Sequence, residues 1–386
     1  MKILMTSNYK MNSETGASQV ADLLAQELAK NDQVLYFCLG GKFSIKKQNN
    51  LKIVKFPSIN IKGVDLPLFT PQAIYNSFKV LENFNPQIVH LHNSIFVSSL
   101  IKNWAKLKNI PIVTTFHHIP TEAVKHLIPE SKGNIFFNLV QNLYKNVSLK
   151  NFLNETDAVI ALNKKIYNSI RSIDKKMKVK IINNGLNLDE YLKIQTKKPN
   201  SKYVNFLFLG SYGPRKNQGF LVKIFKYLPQ KFRLYCYGKS VTNSAYFLKL
   251  KKFIKSNNIN HVFLNGFVKR ETVPLLFRKS DYLISASIKE AQSLTVIQAL
   301  ASGKPIIGIK NETISELVDK SNGMVVSKRV SPREFAKLIV EFIKKDDYIR
   351  LSKNSRDKSQ KFKIQKVVSE TKNFYKSICD SYRKKS

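Results

Sequence analysis

A chain of 386 residues exceeds what one hydrophobic core usually organises, so two domains of roughly 190 residues each are expected. Apolar residues at 43% suffice for two cores, no run reaches the roughly 18 apolar residues of a membrane span, and Met1–Ser7 is too short for a signal peptide's apolar region. The 65 Lys+Arg against 26 Asp+Glu give a formal net charge of +39, spread along the chain, which draws it toward polyanions without naming one. These features predict a cytoplasmic protein, or one peripheral on the inner face of the cell membrane. Cys38, Cys236 and Cys379 are odd in number and far apart, which fits neither a disulfide framework nor a CxxC site.

In chain order, the first part alternates β-branched runs with helical periodicity. Strands are predicted at Lys2–Thr6, Val34–Leu39, Lys52–Phe56, Ile88–Leu91, Ile112–Phe116 and Ala158–Ala161. Helices are predicted at Ala17–Lys30, Pro71–Asn83, Ser94–Lys108 and Asn134–Asn154. Within the last, Phe136, Leu139, Val140, Leu143 and Val147 make one apolar face, suited either to a core or to lipid. A polar stretch, Gln195–Lys202, reads as a linker, and the rhythm then restarts. Strands follow at Phe206–Leu209, Arg233–Tyr237, Val262–Leu264, Tyr282–Ser285 and Ile306–Ile309. Helices follow near Gln218–Tyr227, Tyr246–Asn257, Glu271–Arg278, Leu294–Ser302 and Ser331–Lys344. From about Ser352 the chain is helical in pattern and strongly basic.

Strand, helix, strand in this order implies parallel pairing, hence an α/β protein of two Rossmann-like domains facing a cleft. The expected boundaries are 1–195, 203–351 and a tail, 352–386, packing back across the domains.

The segment Glu290 to Pro305 is the most informative for chemistry. Ser293 stands where an N-cap belongs, Leu294, Ile297, Leu300 and Ala301 form one helical face, and Gly303 with Pro305 stops the helix. Free N–H groups at Ser293, Leu294 and Thr295 suit a diphosphate, aided by the helix dipole. Glu290 precedes this cradle, where a carboxylate can accept from sugar hydroxyls, and Gln298, two turns into the helix, is in reach of a ribose.

This segment resembles the donor-binding signature of retaining GT-B glycosyltransferases of family 4, in which a second Glu falls eight positions after the first. Here that position holds Gln298, whose amide has one acceptor where a carboxylate has two. Phe206 to Gln218 resembles the family's strand and loop that bring an Arg and a Lys to the diphosphate. Lys216 matches the Lys, Gly210 and Ser211 open the loop, and Ser211 stands at the Arg position, with Arg215 as its substitute guanidinium. Asn265 to Val268 resembles the strand end that receives the base, placing Phe267 and Val268 beside it. Ile181 to Asn187 resembles the family's turn before the linker, with Asn183 in place of Pro, and Asn311 to Val326 resembles the loop and helix before its Gly-hydrophobic strand. Val113 to His117 resembles the strand whose terminal His meets the transferred sugar. Val89 to His92 follows the pattern of another family strand end, and the loop Asn8–Ala17 ends in Gly16 where relatives place paired glycines, so Gly16 and His92 are expected on the acceptor side.

The resemblance implies a sugar transferase that uses a UDP- or GDP-linked donor and retains anomeric configuration. It implies no cofactor and no metal, and His117, Glu290, Lys216 and Arg215 become the catalytic set. The implied partners are the nucleotide sugar and a saccharide or lipid-linked acceptor, in cell-envelope polysaccharide, lipopolysaccharide or glycolipid synthesis at an anionic membrane surface. Nucleic-acid binding would use the charge directly, but no zinc-finger spacing or RNP-like strand accompanies it. A catalytically impaired GT-B accessory subunit is the other alternative, motivated by Ser211 and Gln298.

Overall fold

The computed structural model describes residues 1–61, 64–118, 144–199, 202–239, 245–345 and 347–384. The chain forms two compact units: Met1–Leu186 with Lys363–Ser386, and Asn187–Phe362.

Unit 1 is built on a sheet of β1 (Lys2–Lys10), β2 (Gln33–Gly40), β3 (Ser44–Gln48), β4 (Leu51–Ile61), β5 (Val64–Pro67), β6 (Ile88–His92), β7 (Ile112–Phe116), β8 (Ala158–Ala161) and β9 (Lys178–Ile181). Their order is β3-β4-β2-β1-β6-β7-β8-β9, with β5 hairpinned onto β4. Only β3 and β5 run antiparallel to their described neighbour. β2, β6, β7 and β8 are almost wholly buried, and β2 and β8 read as apolar runs, whereas β6 and β7 also bury His90, His92, Thr114 and Thr115. Leu24 and Leu28 of the helix Gly16–Leu28 share one core with Ile3, Val34 and Ile88, and with Phe374, Tyr375 and Ile378 of the final helix, Ile364–Arg383.

Unit 2 contains β10 (Val204–Leu209), β11 (Phe232–Tyr237), β12 (Val262–Leu264), β13 (Tyr282–Ser285), β14 (Ile306–Ile309) and β15 (Gly323–Val326). The order is β12-β11-β10-β13-β14-β15, parallel throughout, so the winding reverses between β10 and β13. Phe206 anchors the core, with Phe225, Phe232 and Tyr282 ring centroids 5.4, 6.0 and 5.5 Å away. The sequence-based expectation of an α/β protein with two parallel-sheet domains thus holds.

The observed division differs from the expected boundaries. Residues 187–195 group with unit 2 because Leu188, Tyr191 and Ile194 are buried there, the Tyr191 ring lying 5.8 Å from that of Phe277. The tail is not one piece: the helix Tyr348–Ser359 packs on the helix Leu294–Ala301 of unit 2, and only residues from Lys363 onward join unit 1. Of the helix expected at Asn134–Asn154, the part up to 143 lies outside the described residues. From there a π-helical stretch, Tyr144–Leu149, leads into the short helix Lys150–Asn154. The helix expected from Ser94 starts at Val97, because Asn93 and Phe96 take positive φ.

Gly238 lets the ends of β10 and β11 approach. A Cβ there would stand 2.0 Å from the Gly210 carbonyl oxygen, whereas a Cβ on Gly266 would meet nothing within 4 Å. Gly238→Ala is therefore expected to destabilise the protein by about 1–3 kcal/mol in urea unfolding, and Gly266→Ala to leave the midpoint nearly unchanged.

Candidate functional site

Open parallel sheets take ligands at the carboxyl ends of their strands, where the winding reverses. In unit 2 that place is the junction of β10 and β13, and a small pocket occupies it. Its polar lining is Lys216, Ser285, Ser287, Ser293 and Thr295, over a floor that includes Phe208, Leu283 and Val296. Lys216 and Ser293, brought from separate segments, thus face one pocket.

Local hydrogen bonds explain how Lys216 arrives there. The loop after β10 turns back on Gly213, whose carbonyl accepts from the N–H groups of Lys216 (3.0 Å) and Asn217 (3.1 Å). Asn217 takes a left-handed φ of 58° and starts the helix Gln218–Phe225. Buried Gln218 braces the loop, its Nε2 donating to the Ser211 carbonyl (3.0 Å) and its Oε1 accepting from the Gly213 N–H (3.3 Å). A Cβ on Gly210 would lie 3.2 Å from Lys216 Cε, so glycine leaves room for the lysine stem.

Lys216 Nζ pairs with Glu290 Oε1, both side chains being mostly buried at 16% and 11% exposure. Glu290 is itself fixed by the following helix, Glu312–Leu317. Its N–H donates to Glu312 Oε2 (3.2 Å), and its carbonyl accepts from Thr313 Oγ1 (3.3 Å). The Thr313 hydroxyl also accepts from the Ser293 N–H (3.0 Å). That bond amends the expectation of a free amide at Ser293. Ser293 does hold the N-cap position of the helix Leu294–Ala301, but its side chain makes no capping bond. The N–H groups of Leu294 and Thr295 follow in the first turn, outside the helix's own ladder.

The other expected donor residues are less gathered. Arg215 is exposed, and its Nη1 stands 3.5 Å from the Lys289 carbonyl. Gln298 is half-buried and sits little more than one turn into its helix rather than two. Phe267, 53% exposed, and Val268 lie in the loop after β12, two strands from β10. Gly210 and Ser211 form the loop just described. None of these six lines the pocket.

In unit 1 the sequence-selected histidines do meet. His92 Nδ1 and His117 Nε2 are 2.8 Å apart, with rings stacked at 5.1 Å. His90, on the same face of β6 as His92, bonds through Nε2 to Thr115 Oγ1 (2.7 Å) and through Nδ1 to Tyr375 Oη (2.5 Å) of the last helix. Burial pushes the His90 and His117 imidazoles down to about 3, helped by His117 and His118 respectively. It holds His92 well below the ordinary range as well, with His90 and His117 adding to the effect. All three are therefore neutral at pH 7. Among the described residues no three His, Cys, Asp or Glu side chains converge as a metal site requires. Gly16 is the exposed first residue of its helix, which Thr15 Oγ1 caps by accepting from the Ser18 N–H (3.3 Å).

Several organising residues escaped the sequence reading. Buried Asp22 accepts from Tyr36 Oη (2.6 Å), the Asn12 N–H (2.7 Å) and Ser18 Oγ (3.0 Å), fixing the loop after β1. A carboxylate between Ala21 and Leu23, in the middle of an amphipathic helix, was its one signal. Asn8 and Asn93 continue β1 and β6 past the Ser7–His92 pairing, and both are buried. Their Oδ1 atoms and His92 Nε2 lack partners among the described residues, a polar demand that folded proteins normally satisfy. Thr313 and Gln218 carried no signal, because hydroxyl and amide side chains are common in loops.

Comparison with known proteins adds two family models that together span most of the chain. Residues 15–190 match the model described as Glycosyltransferase Family 4, and residues 189–361 match Glycosyl transferases group 1. An uncharacterized glycosyltransferase of Methanocaldococcus jannaschii is 26% identical over 80% of this chain and 81% of its own. An alpha-monoglucosyldiacylglycerol synthase of Streptococcus pneumoniae is 22% identical over 84% of this chain and 74% of its own. Among solved structures, sucrose-phosphate synthase from Thermosynechococcus elongatus superimposes with a TM-score of 0.79 at 16% identity, covering 98% of this chain and 99% of its own. Anabaena Alr3699/HepE in complex with UDP and glucose gives 0.72 at 16% identity, with 98% and 100% covered.

The histidines also set an acid sensitivity. An imidazole whose folded value lies near 3 and whose unfolded value lies near 6.5 binds fewer protons folded than unfolded between those limits, so stability is full above about 6.5 and falls with acidification toward 3. The unfolding free energy from urea titration is expected to drop between pH 7.5 and pH 5, and His117→Gln to lessen that drop by about 1–2 kcal/mol.

Proposed function

We propose, for a chain that belongs to the GT-B glycosyltransferases, that it moves a hexose from a UDP- or GDP-linked donor to a lipid-linked or saccharide acceptor. Anomeric configuration is retained, and the reaction serves envelope glycolipid or polysaccharide synthesis. The observation that carries this reading is the pocket at the end of β10 and β13, where Lys216 faces Ser293 and Thr295 and pairs with Glu290. An ammonium group beside first-turn amides fits a pyrophosphate, and a carboxylate next to it fits sugar hydroxyls.

In the reaction the bond from the anomeric carbon to the diphosphate oxygen breaks while a bond to the acceptor hydroxyl oxygen forms on the same face. The hydroxyl proton passes toward the departing phosphate. Lys216 and the amides of Leu294 and Thr295 stabilise the charge that develops on the diphosphate, the role a divalent ion fills elsewhere. Arg215 swings from the Lys289 carbonyl to add a second cation. Glu290 exchanges Lys216 for donor-sugar hydroxyls, Gln298 approaches the ribose, and Phe267 and Val268 flank the base. Neutral His117 accepts from or donates to the transferred sugar, held in orientation by His92. The relative named as a glucosyldiacylglycerol synthase supports a lipid acceptor, and the fold neighbour solved with UDP and glucose supports a UDP-hexose donor.

Lys216→Ala is expected to lower kcat/KM at least tenfold, about 1.4 kcal/mol of transition-state stabilisation, with the circular dichroism spectrum unchanged. Undiminished turnover would remove Lys216 from the mechanism. A melting-temperature series with UDP, GDP and ADP identifies the donor nucleotide, since a ligand at a hundred times its Kd adds about 2.7 kcal/mol to stability. Nucleotide binding without turnover, unrepaired by Gln298→Glu, would instead favour an accessory subunit.

A further inference from the structure

β4 outruns its neighbour in unit 1. Gly40, the last residue of β2, pairs with Pro57, and residues 58–61 continue past it, paired with β5. In this extension Ile59 lies opposite Leu66 and Ile61 opposite Val64, while Ser58, Asn60 and Asp65 take the alternate positions. Side chains alternate across a ribbon, so one face is apolar and the other polar. The polar face is tied down: Asp65 Oδ1 pairs with Lys10 Nζ (2.7 Å) and accepts from Asn60 Nδ2 (2.9 Å). The apolar face is open, with Ile59, Ile61 and Val64 exposed by 44%, 47% and 57%, and exposed Phe69 follows just beyond.

Exposed apolar side chains gathered on one face of a ribbon suit an interaction surface. Lys10 is the last residue of β1, so the hairpin stands at the sheet's carboxyl edge, the edge at which His92 ends β6. Surrounding charge selects the partner. Asp65 is the one acid among residues 51–67 and is already paired, whereas Lys42 and Lys55 beside the hairpin are exposed. A second copy of this chain brings another +39 and is repelled. An anionic bilayer offers both an apolar interior and negative headgroups.

We propose that the Ile59–Ile61–Val64 face of this hairpin docks into the interface of an anionic lipid bilayer, with Lys42 and Lys55 meeting the headgroup phosphates. The contact is with bulk lipid, separate from donor and acceptor binding, and stands whether or not the transferase reading does.

The test floats the full chain with vesicles of phosphatidylcholine, alone or mixed equally with phosphatidylglycerol, with no nucleotide sugar present. Binding to the mixed vesicles is expected, weakened about tenfold by Ile59→Ser with Ile61→Ser and about fivefold for each of Lys42→Gln and Lys55→Gln. Elution volume and melting temperature stay constant. Absence of flotation, or flotation of the serine variant equal to the parent's, overturns the proposal. So does a parent dimer that the serine variant splits, which would give this face to a second copy. Should the serine variant not fold, Ile61→Trp decides: its emission moves to shorter wavelength on the mixed vesicles, and an unchanged spectrum overturns the proposal. No turnover is measured, so failure here leaves the transferase reading in place.

Discussion

In unit 2 the ammonium of Lys216 and the carboxylate of Glu290 meet from positions 74 residues apart, and the candidate site exists because they do. The meeting requires β10 and β13 to be adjacent, which the reversal of winding supplies. It also requires two loops to hold awkward shapes. Gln218 secures one and Thr313 the other, each by closing hydrogen bonds that the loop backbone cannot make for itself. A largely buried ion pair is poorly compensated if either partner is lost, so the pair joins the two loops as one element.

The helix Leu294–Ala301 connects this site to the rest of unit 2. Its first turn faces the pocket, and its last carbonyls meet Arg356, whose Nη1 donates to Ala301 (3.2 Å) and whose Nη2 donates to Ser302 (3.4 Å). A guanidinium at the carboxyl end and an anion site at the amino end suit the same helix dipole. Arg356 also donates to the carbonyls of Leu192 (2.7 Å) and Ile194, binding residues 187–195 to the helix they precede in sequence by a hundred positions. Gly303, at φ +64°, leaves the space: a Cβ there would stand 2.7 Å from Arg356 Nε. In unit 1 the last helix has a comparable part, since Tyr375 fills the core and hydrogen-bonds His90 beneath the neutral His92–His117 pair.

Much of this was legible from residue order. β6, β7, β8, β10, β13 and β14 were read within a residue or two, because strands buried on both faces are rich in apolar and β-branched residues, even where β6 and β7 also bury histidine and threonine. β3, β5 and β9 were not read: Ser44–Gln48 is exposed throughout and has one apolar side chain, Val64–Pro67 is four residues long, mostly half-buried and ends in proline, and Lys178–Ile181 is mostly exposed. Lys216, Glu290 and Ser293 were found because strand, polar loop and helix start follow one another in the chain. Gln218, Thr313, Asp22 and Arg356 were missed because what each does depends on a partner far away in sequence or on burial.

The amino-acid order by itself determined the succession of buried strands and amphipathic helices, and with it two parallel α/β sheets and the candidates at their carboxyl ends. Those properties are local, set by periodicity and by what each residue can bury. Tertiary structure alone decided that the unit boundary lies at 186–187, that the tail divides at 362–363, that Lys216 faces Ser293 while Arg215 stays outside, and that three histidines are neutral. Each of these depends on desolvation or on contact between distant segments, and neither quantity exists until the chain has folded.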